Sequence, residues 1–157
     1  MAGGAAAHSN EPTCTSITHP TTITSDKKCV RVTKTITGNV VNNAKVGKPP
    51  EDKDAAFFIG DGGLITGTLV NNGKIEGGEG TDALLLGKNA NVQGGIFNNG
   101  SIVAKDGSGI GLGYLDRVYA HGHWYDVPQA VALTGDIVNG GVIDGEDYGI
   151  AARYGTM

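Results

Sequence analysis

The side chains best suited to chemistry are concentrated in one segment, residues 114–128. This segment contains the only Trp of the chain, three of its five Tyr and two of its four His. Rigid side chains with apolar faces and polar tips are typical of recognition surfaces, most often on loops. We therefore predict a ligand-binding loop formed by Tyr119, His121, His123, Trp124, Tyr125 and Asp126.

Two histidines in this segment raise the alternative of a metal site. His121 and His123 are two residues apart, so in an extended strand they point to one side, and Asp126 would supply a third ligand. The simpler interpretation is that these side chains pack within the loop or remain solvated. We predict no metal and no cofactor.

Two glycine-rich segments resemble known binding motifs. Gly77–Leu85 matches the nine-residue calcium β-roll pattern, but the pattern occurs once, and such sites take about six to eight oxygen ligands from successive turns. We interpret it as a corner before a strand. Gly109–Gly113 resembles a phosphate loop, yet no helical pattern follows whose N-terminus could hold an anion.

No catalytic constellation is recognisable in the sequence. It contains no Gly-x-Ser-x-Gly elbow, no Ser-His-Asp set and no clear pair of catalytic carboxylates, so we predict a non-enzyme without catalytic residues. The alternative is a polysaccharide-degrading parallel β-helix that uses carboxylates at its corners, where acidic residues also commonly serve turns and solubility. The carboxylates concerned are Asp61, Glu76, Glu79, Asp82, Asp106 and Asp144.

The two cysteines, Cys14 and Cys29, lack the CxxC spacing of redox and zinc sites. A disulfide between them would close a loop of about 15 residues and stabilise the fold by about 3 kcal/mol. Disulfides persist in oxidising compartments, so this pairing favours an extracellular protein. The alternative is a pair of free, buried thiols in a cytosolic protein.

Length, charge and composition narrow the class of protein. The 157 residues suit one domain, and the formal net charge of −4 provides no basic surface for nucleic acid. Apolar runs such as Leu84–Leu86 are far shorter than the ~20 residues of a transmembrane helix, so we predict no membrane span within this chain. The 27 glycines and the short runs of Val, Ile, Leu and Thr favour turns and β-strands.

A sequence repeat predicts the elements that position these residues. One segment occurs four times, with successive copies starting 29, 27 and 41 residues apart. A period of this length is typical of a solenoid, and the longer last interval accommodates the aromatic segment. The four copies are residues 36–46, 65–75, 92–102 and 133–143.

Each copy predicts three strands and three corners. Apolar, Gly and apolar residues alternate in Ile65, Gly67 and Leu69, which indicates a strand with one buried face. A Val-Asn-Asn-Gly corner, a short second strand and a third apolar run follow. Because one turn cannot bury its own inner face, we expect the copies to stack in parallel ~4.8 Å apart, as an all-β solenoid.

Stacking of the copies would align one asparagine from each. Stacked Asn side chains hydrogen-bond along such a ladder, as they do in cross-β assemblies. The alternative is that the Asn-Gly pairs form hairpin turns of an antiparallel sheet, although three strand types in fixed order argue against a meander. The predicted ladder consists of Asn42, Asn71, Asn98 and Asn139.

The motif Ile-Thr-Gly-Asn-Val-Val-Asn-Asn at 36–43, repeated as Ile-Thr-Gly-Thr-Leu-Val-Asn-Asn at 65–72, resembles passenger domains of Gram-negative autotransporters. Cys14–Val32 is similar to the beginning of such a passenger. The resemblance implies a right-handed parallel β-helix. We accordingly divide the chain into a disordered segment at 1–13, a disulfide-closed N-terminal cap at 14–35, and coils at 36–157 with an inserted loop at about 114–129.

The same resemblance implies a location and a role. The protein would be secreted or displayed on a Gram-negative cell, attached to the outer membrane in its full-length form. It would act without catalysis in adhesion, aggregation or host contact, through a glycan or protein on a host or neighbouring cell. Because the family's membrane barrel is not among these residues, we expect the chain to be the N-terminal part of a longer protein.

The C-terminal end carries an expectation of its own. Residues 145–157 contain the last apolar run but no recognisable polar cap, so the final coil would present an unpaired strand edge. Such an edge is a template for another chain. We therefore expect a homo-oligomer formed through this coil, most simply a two-fold dimer.

Overall fold

A computed structural model describes residues 14–47, 55–129, 131–153 and 155–156, and the regular structure of these residues is entirely β-strand. The predicted disordered segment, residues 1–13, lies outside the described residues. The strands are β1 (Thr15–Ser16), β2 (Thr21–Ile23), β3 (Val30–Val32), β4 (Thr35–Ile36), β5 (Val40–Asn42), β6 (Lys45–Gly47), β7 (Ala55–Ile59), β8 (Leu64–Ile65), β9 (Leu69–Asn71), β10 (Lys74–Glu76), β11 (Asp82–Leu86), β12 (Asn91–Val92), β13 (Ile96–Asn98), β14 (Ser101–Ala104), β15 (Ser108–Leu112), β16 (Tyr114–Ala120), β17 (His123–Gln129), β18 (Val131–Ala132), β19 (Ile137–Asn139), β20 (Val142–Gly145), β21 (Tyr148–Ala152) and β22 (Gly155–Thr156).

Equivalent strands of successive repeats lie side by side and run parallel. The largest sheet has the order β1-β3-β7-β11-β15-β21, and the others have the orders β2-β5-β9-β13-β19, β6-β10-β14-β20 and β4-β8-β12. Leu69 lies opposite Val40 on one side and Ile96 on the other, at matching positions of three repeats. This all-β, parallel arrangement is consistent with a β-helix. The antiparallel alternative for the Asn-Gly pairs is wrong.

Each repeat contains four strands, so the prediction of three was wrong. In the first repeat, a bend at Thr37 and Gly38 separates β4 from β5. A Cβ on Gly67, one repeat later, would lie 2.6 Å from the carbonyl oxygen of Gly38. Gly38 itself has a φ of +136°, and Gly95 has a φ of +95°, which side-chain-bearing residues resist. The glycine of each copy therefore marks a corner where the sequence pattern predicts a continuous strand.

The interior is a stack of aliphatic side chains, one layer from each repeat. In β5, β9 and β13 the first residue is fully buried, the second is half-buried and the third is a buried asparagine. Burying each such aliphatic side chain contributes about 1.5–3 kcal/mol. The fully buried large side chains are Phe57, Ile36, Ile59, Ile65, Leu69, Ile75, Leu84, Leu86, Ile96, Ile102, Ile110 and Leu112.

The N-terminal end is closed by a disulfide, as the sequence predicts. Cys14 and Cys29 are bonded, with their Cα atoms 4.7 Å apart, and they tie β1 to β3. Such a bond is typical of proteins in oxidising, extracytoplasmic compartments. Among the described residues there is no helix with the length and hydrophobicity needed to cross a bilayer.

The inserted segment is a hairpin in which β16 and β17, among the described strands, pair only with each other. Its turn consists of His121 and Gly122, which both have positive φ values, +53° and +78°. Two such residues match the right-handed twist of the flanking strands. After the hairpin, β18 pairs with β22 instead of β12. The side-chain oxygen of Asn91 accepts a hydrogen bond from the backbone N–H of Thr134. The hairpin thus leaves the stack between the third and fourth repeats.

The last repeat exposes apolar side chains at the C-terminal edge. In the described part of the chain, β19, β20 and β21 each have a neighbouring strand on one side only. Val138 is 47% exposed, Val142 54% and Ile150 40%. Strand edges with apolar side chains and unpaired backbone groups are templates for pairing with another chain.

We predict that the chain self-associates through this edge. Ile150→Lys should weaken association by at least about tenfold, because an edge lysine blunts strand pairing. Val127→Lys is the matched control, since Val127 is 38% exposed but lies on the hairpin. Sedimentation velocity over a concentration series measures both. A wild-type chain that stays monomeric at high concentration, or equal effects of the two lysines, would contradict the prediction.

Candidate functional site

The register of the hairpin sorts its side chains onto two faces. Tyr119 lies opposite Trp124 and Arg117 lies opposite Asp126. Because side chains alternate along a strand, these pairs share one face. We call this the ring face, and it consists of Leu115, Arg117, Tyr119, Trp124, Asp126 and Pro128. The opposite face carries Asp116, Val118, His123, Tyr125 and Val127.

Two aromatic rings dominate the ring face. The ring centroids of Tyr119 and Trp124 lie 5.1 Å apart with the ring planes tilted by 59°. This spacing is typical of favourable aromatic pairs, which contribute about 0.5–1.5 kcal/mol beyond the area they bury. Even so, Tyr119 remains 59% exposed and Trp124 62% exposed. The rings therefore support each other while leaving most of their surface available to a ligand.

An exposed ion pair lies next to the rings on the same face. Nε of Arg117 is 3.7 Å from Oδ1 of Asp126, and the two side chains are 73% and 60% exposed. Such a pair adds little stability in water. It does supply hydrogen-bond donors and acceptors about 6.7 Å along the strands from the rings. The ring face therefore combines an apolar platform with polar groups beside it.

The metal site considered from the sequence is not assembled. His123 and Asp126 are three residues apart in β17, so they point to opposite faces, and His121 lies in the turn. His123 instead contacts the ring of Tyr125 edge-on, with centroids 6.4 Å apart. No group of three His, Cys, Asp or Glu side chains within the described ranges could hold a metal ion.

The structure brings the four predicted ladder asparagines together. Nδ2 of Asn42 donates to Oδ1 of Asn71, Nδ2 of Asn71 donates to Oδ1 of Asn98, and Nδ2 of Asn98 donates to Oδ1 of Asn139, each at 2.8 Å. The Asn71 amide also donates to the carbonyl of Ser101 in the next repeat, at 3.0 Å. The first three asparagines are at most 1% exposed, whereas Asn139, in the last repeat, is exposed. Each buried amide thus requires a neighbouring repeat in register.

A second asparagine ladder runs along the outer surface. Asn72 donates to Asn43 and Asn99 donates to Asn72, each at 2.9 Å. This ladder runs in the opposite direction, with its donors facing the N-terminal end. Sequence reasoning did not identify it, although the repeated Asn-Asn dipeptide was a usable signal. It ends where the fourth repeat has Gly140.

Asp82, part of the calcium-like motif, has a structural partner that the sequence did not reveal. Its carboxylate accepts hydrogen bonds from both terminal nitrogens of Arg153, at 2.8 and 3.2 Å, and from the backbone N–H of Ser108 at 2.8 Å. Arg153 also donates to the Ser108 hydroxyl. These contacts join the second, third and fourth repeats. We call these contacts of Asp82, Ser108 and Arg153 the clamp. A Cβ on Gly111 would lie 2.9 Å from Arg153 Nη1, so the glycine leaves room for the clamp.

The structure does not place all the carboxylates considered for catalysis at corners, since Glu76 lies in β10 and Asp144 in β20, and it does not bring them together. Asp61 accepts a hydrogen bond from the hydroxyl of Tyr114 at the base of the hairpin, and Asp106 accepts one from the backbone N–H of Gly80. Burial raises the pKa of the Glu76 carboxyl, but the ammonium groups of Lys74 and Lys45 outweigh it and hold this pKa below its usual value. Glu79 and Asp144 are exposed.

No family model matches the chain, and no curated protein or solved structure matches it either. Within the part of the chain that the structure describes, the ring face brings exposed aromatic and charged side chains together outside the stacked sheets.

We predict that the buried ladder contributes much more stability than the outer one. Asn71→Ala should lower the free energy of unfolding by about 2–4 kcal/mol, because it leaves the amides of Asn42 and Asn98 without this partner and opens a cavity. Asn72→Ala, an adjacent change at an exposed ladder, should cost less than about 1 kcal/mol. Urea unfolding followed by circular dichroism measures both. Equal losses would contradict a structural role for the buried ladder.

The clamp predicts a second stability difference. Arg153→Met should destabilise the chain by about 1–3 kcal/mol, because it leaves the buried Asp82 carboxylate without its cation. Arg117→Met, which removes an exposed pair, should change stability by no more than about 0.5 kcal/mol. Hydrogen exchange should also show faster exchange in β21 of the Arg153 variant. Unchanged protection of β21 would show that the clamp does not hold the last repeat.

Proposed function

We propose that this chain is a non-catalytic β-solenoid scaffold of the autotransporter passenger type, folded as a right-handed parallel β-helix. Its role would be adhesion, aggregation or host contact at the surface of a Gram-negative cell. The repeated Asn-containing motif and the parallel, in-register pairing of equivalent strands support this proposal. The Cys14–Cys29 disulfide supports a location outside the cytoplasm.

The pairing between repeats supports the scaffold role. Equivalent strands of successive repeats pair in parallel, with the exception of β12 and β18, and the buried asparagine amides hydrogen-bond from one repeat to the next. Such an array is stiff along its length and can present an inserted segment in a defined position. Binding residues are commonly found on segments of this kind, which are held by a rigid framework.

The observation that carries the proposal is the exposure of the hairpin. Leu115, Tyr119, Trp124 and Tyr125 are each between 47% and 62% exposed, although large apolar side chains are normally buried. The hairpin pairs with no strand of the stacked sheets, so these side chains do not serve the core. Exposed apolar clusters rimmed by polar groups mark interaction sites. The hairpin is therefore the proposed contact element.

Binding to intact cells tests the proposal. A variant in which a short Gly-Ser linker replaces Leu115–Pro128 should keep the circular dichroism spectrum of the wild type, because the stacked strands pair without the hairpin. We expect the fluorescently labelled wild type to bind cultured epithelial cells or Gram-negative cells saturably, and the linker variant to bind at least about tenfold more weakly. Val142→Ser, which changes an exposed valine outside the hairpin, should retain binding.

Two results would contradict the proposal. The first is equal binding of the wild type and the folded linker variant, or absence of saturable binding to either kind of cell. The second is release of reducing sugars from polysaccharides incubated with the wild type. That release would favour the alternative of a carbohydrate-cleaving enzyme.

A further inference from the structure

We propose that the ring face binds the flat, C–H-lined face of a neutral sugar ring in an uncharged oligosaccharide or polysaccharide. The inference rests on the proposed function, because it takes the hairpin as the contact element. It adds the chemical class of the ligand and the face of the hairpin that binds it.

The aromatic pair matches the apolar part of such a ligand. A pyranose ring carries C–H groups on its flat faces, and these are attracted to the electron-rich faces of Trp and Tyr rings. The ring planes of Trp124 and Tyr119 are tilted by 59° to each other, so the two rings present two apolar surfaces at different inclinations on one face. Both rings are already positioned by their mutual contact, which reduces the side-chain entropy lost on binding.

The ion pair matches the hydroxyl groups at the rim of the sugar. Arg117 offers N–H donors and Asp126 offers carboxylate acceptors, on the same face as the rings. Burying this pair under a dry, apolar partner would require its desolvation without replacement hydrogen bonds. Sugar hydroxyls both donate and accept, so they can replace the water that now solvates the pair.

The dimensions of the ring face suit a few sugar rings. Seven residues of extended strand span about 23 Å, and two paired strands span about 10 Å.

Charge argues for a neutral sugar. The chain has a formal net charge of −4, and the hairpin carries two aspartates against one arginine that already pairs with Asp126. An acidic glycan would therefore approach a surface of like charge. An uncharged chain of sugar units encounters no such barrier.

The single tryptophan makes the test direct. Trp124 is the only Trp, so its intrinsic fluorescence reports on the ring face of the intact chain. The probes are cellohexaose, mannohexaose, xylohexaose and chitohexaose, with heparin as the acidic comparison. We expect saturable shifts of the emission with at least one neutral probe and none with heparin at equal mass concentration.

Substitutions on the two faces of the hairpin show which face binds the probe. Tyr119→Ala should raise the dissociation constant for the active probe by about tenfold, since one stacking partner is lost. Val118→Ala, which truncates a 41% exposed side chain on the opposite face, should leave it within about twofold, which controls for damage to the hairpin. Arg117→Met should weaken binding by about threefold to tenfold, as the loss of a hydrogen bond predicts.

The outcomes separate this inference from the proposed function. If no neutral probe shifts the emission at millimolar concentration, or if Val118→Ala weakens binding as much as Tyr119→Ala, the inference is wrong. Periodate oxidation of the cells before the binding assay provides the second arm, because it cleaves sugar vicinal diols. Hairpin-dependent binding that survives periodate would leave the proposed function standing and point to a protein ligand instead.

Discussion

Each repeat must stack in register on its neighbours, because a single repeat cannot bury its own apolar side chains or satisfy its own interior polar groups. Asn71 illustrates it, because its buried amide takes a hydrogen bond from Asn42 and gives one to Asn98. A slip of one residue would move these amides to the outer surface and bring their apolar neighbours out of the core. The asparagines therefore specify register, while the aliphatic layers provide most of the stabilisation.

This constraint decides where the chain tolerates a projecting element. Close backbone contacts between repeats leave no room for a Cβ at Gly67, so the corner between β8 and β9 tolerates little change in sequence. The hairpin instead leaves the stack after β15 and re-enters at β18, where β18 no longer pairs with β12. Arg153 then ties the last repeat back to Asp82 across this interruption. The aromatic hairpin is thus attached to a framework whose stacked strands do not pair with it.

Periodicity and local spacing predict much of the fold, whereas contacts between single residues far apart in the sequence are not predicted. The strands, the Cys14–Cys29 bond and the alignment of the ladder asparagines follow from periodicity and spacing. The Asp82–Arg153 pair spans 71 residues without a local pattern, so no sequence rule identifies it. The alternation of apolar residues continues through the bend at Gly38, so the sequence pattern predicts strand where the structure has a corner. The alternative of a metal site pairs His123 with Asp126, but their odd spacing in β17 places them on opposite faces.

The register of the buried asparagines can be measured by side-chain amide NMR. We predict nuclear Overhauser contacts from the Asn71 amide protons to those of both Asn42 and Asn98, which lie in the preceding and following repeats. These protons should also exchange slowly with solvent, because the three side chains are at most 1% exposed. Rapid exchange, or contacts from Asn71 only to residues of its own repeat, would contradict the account.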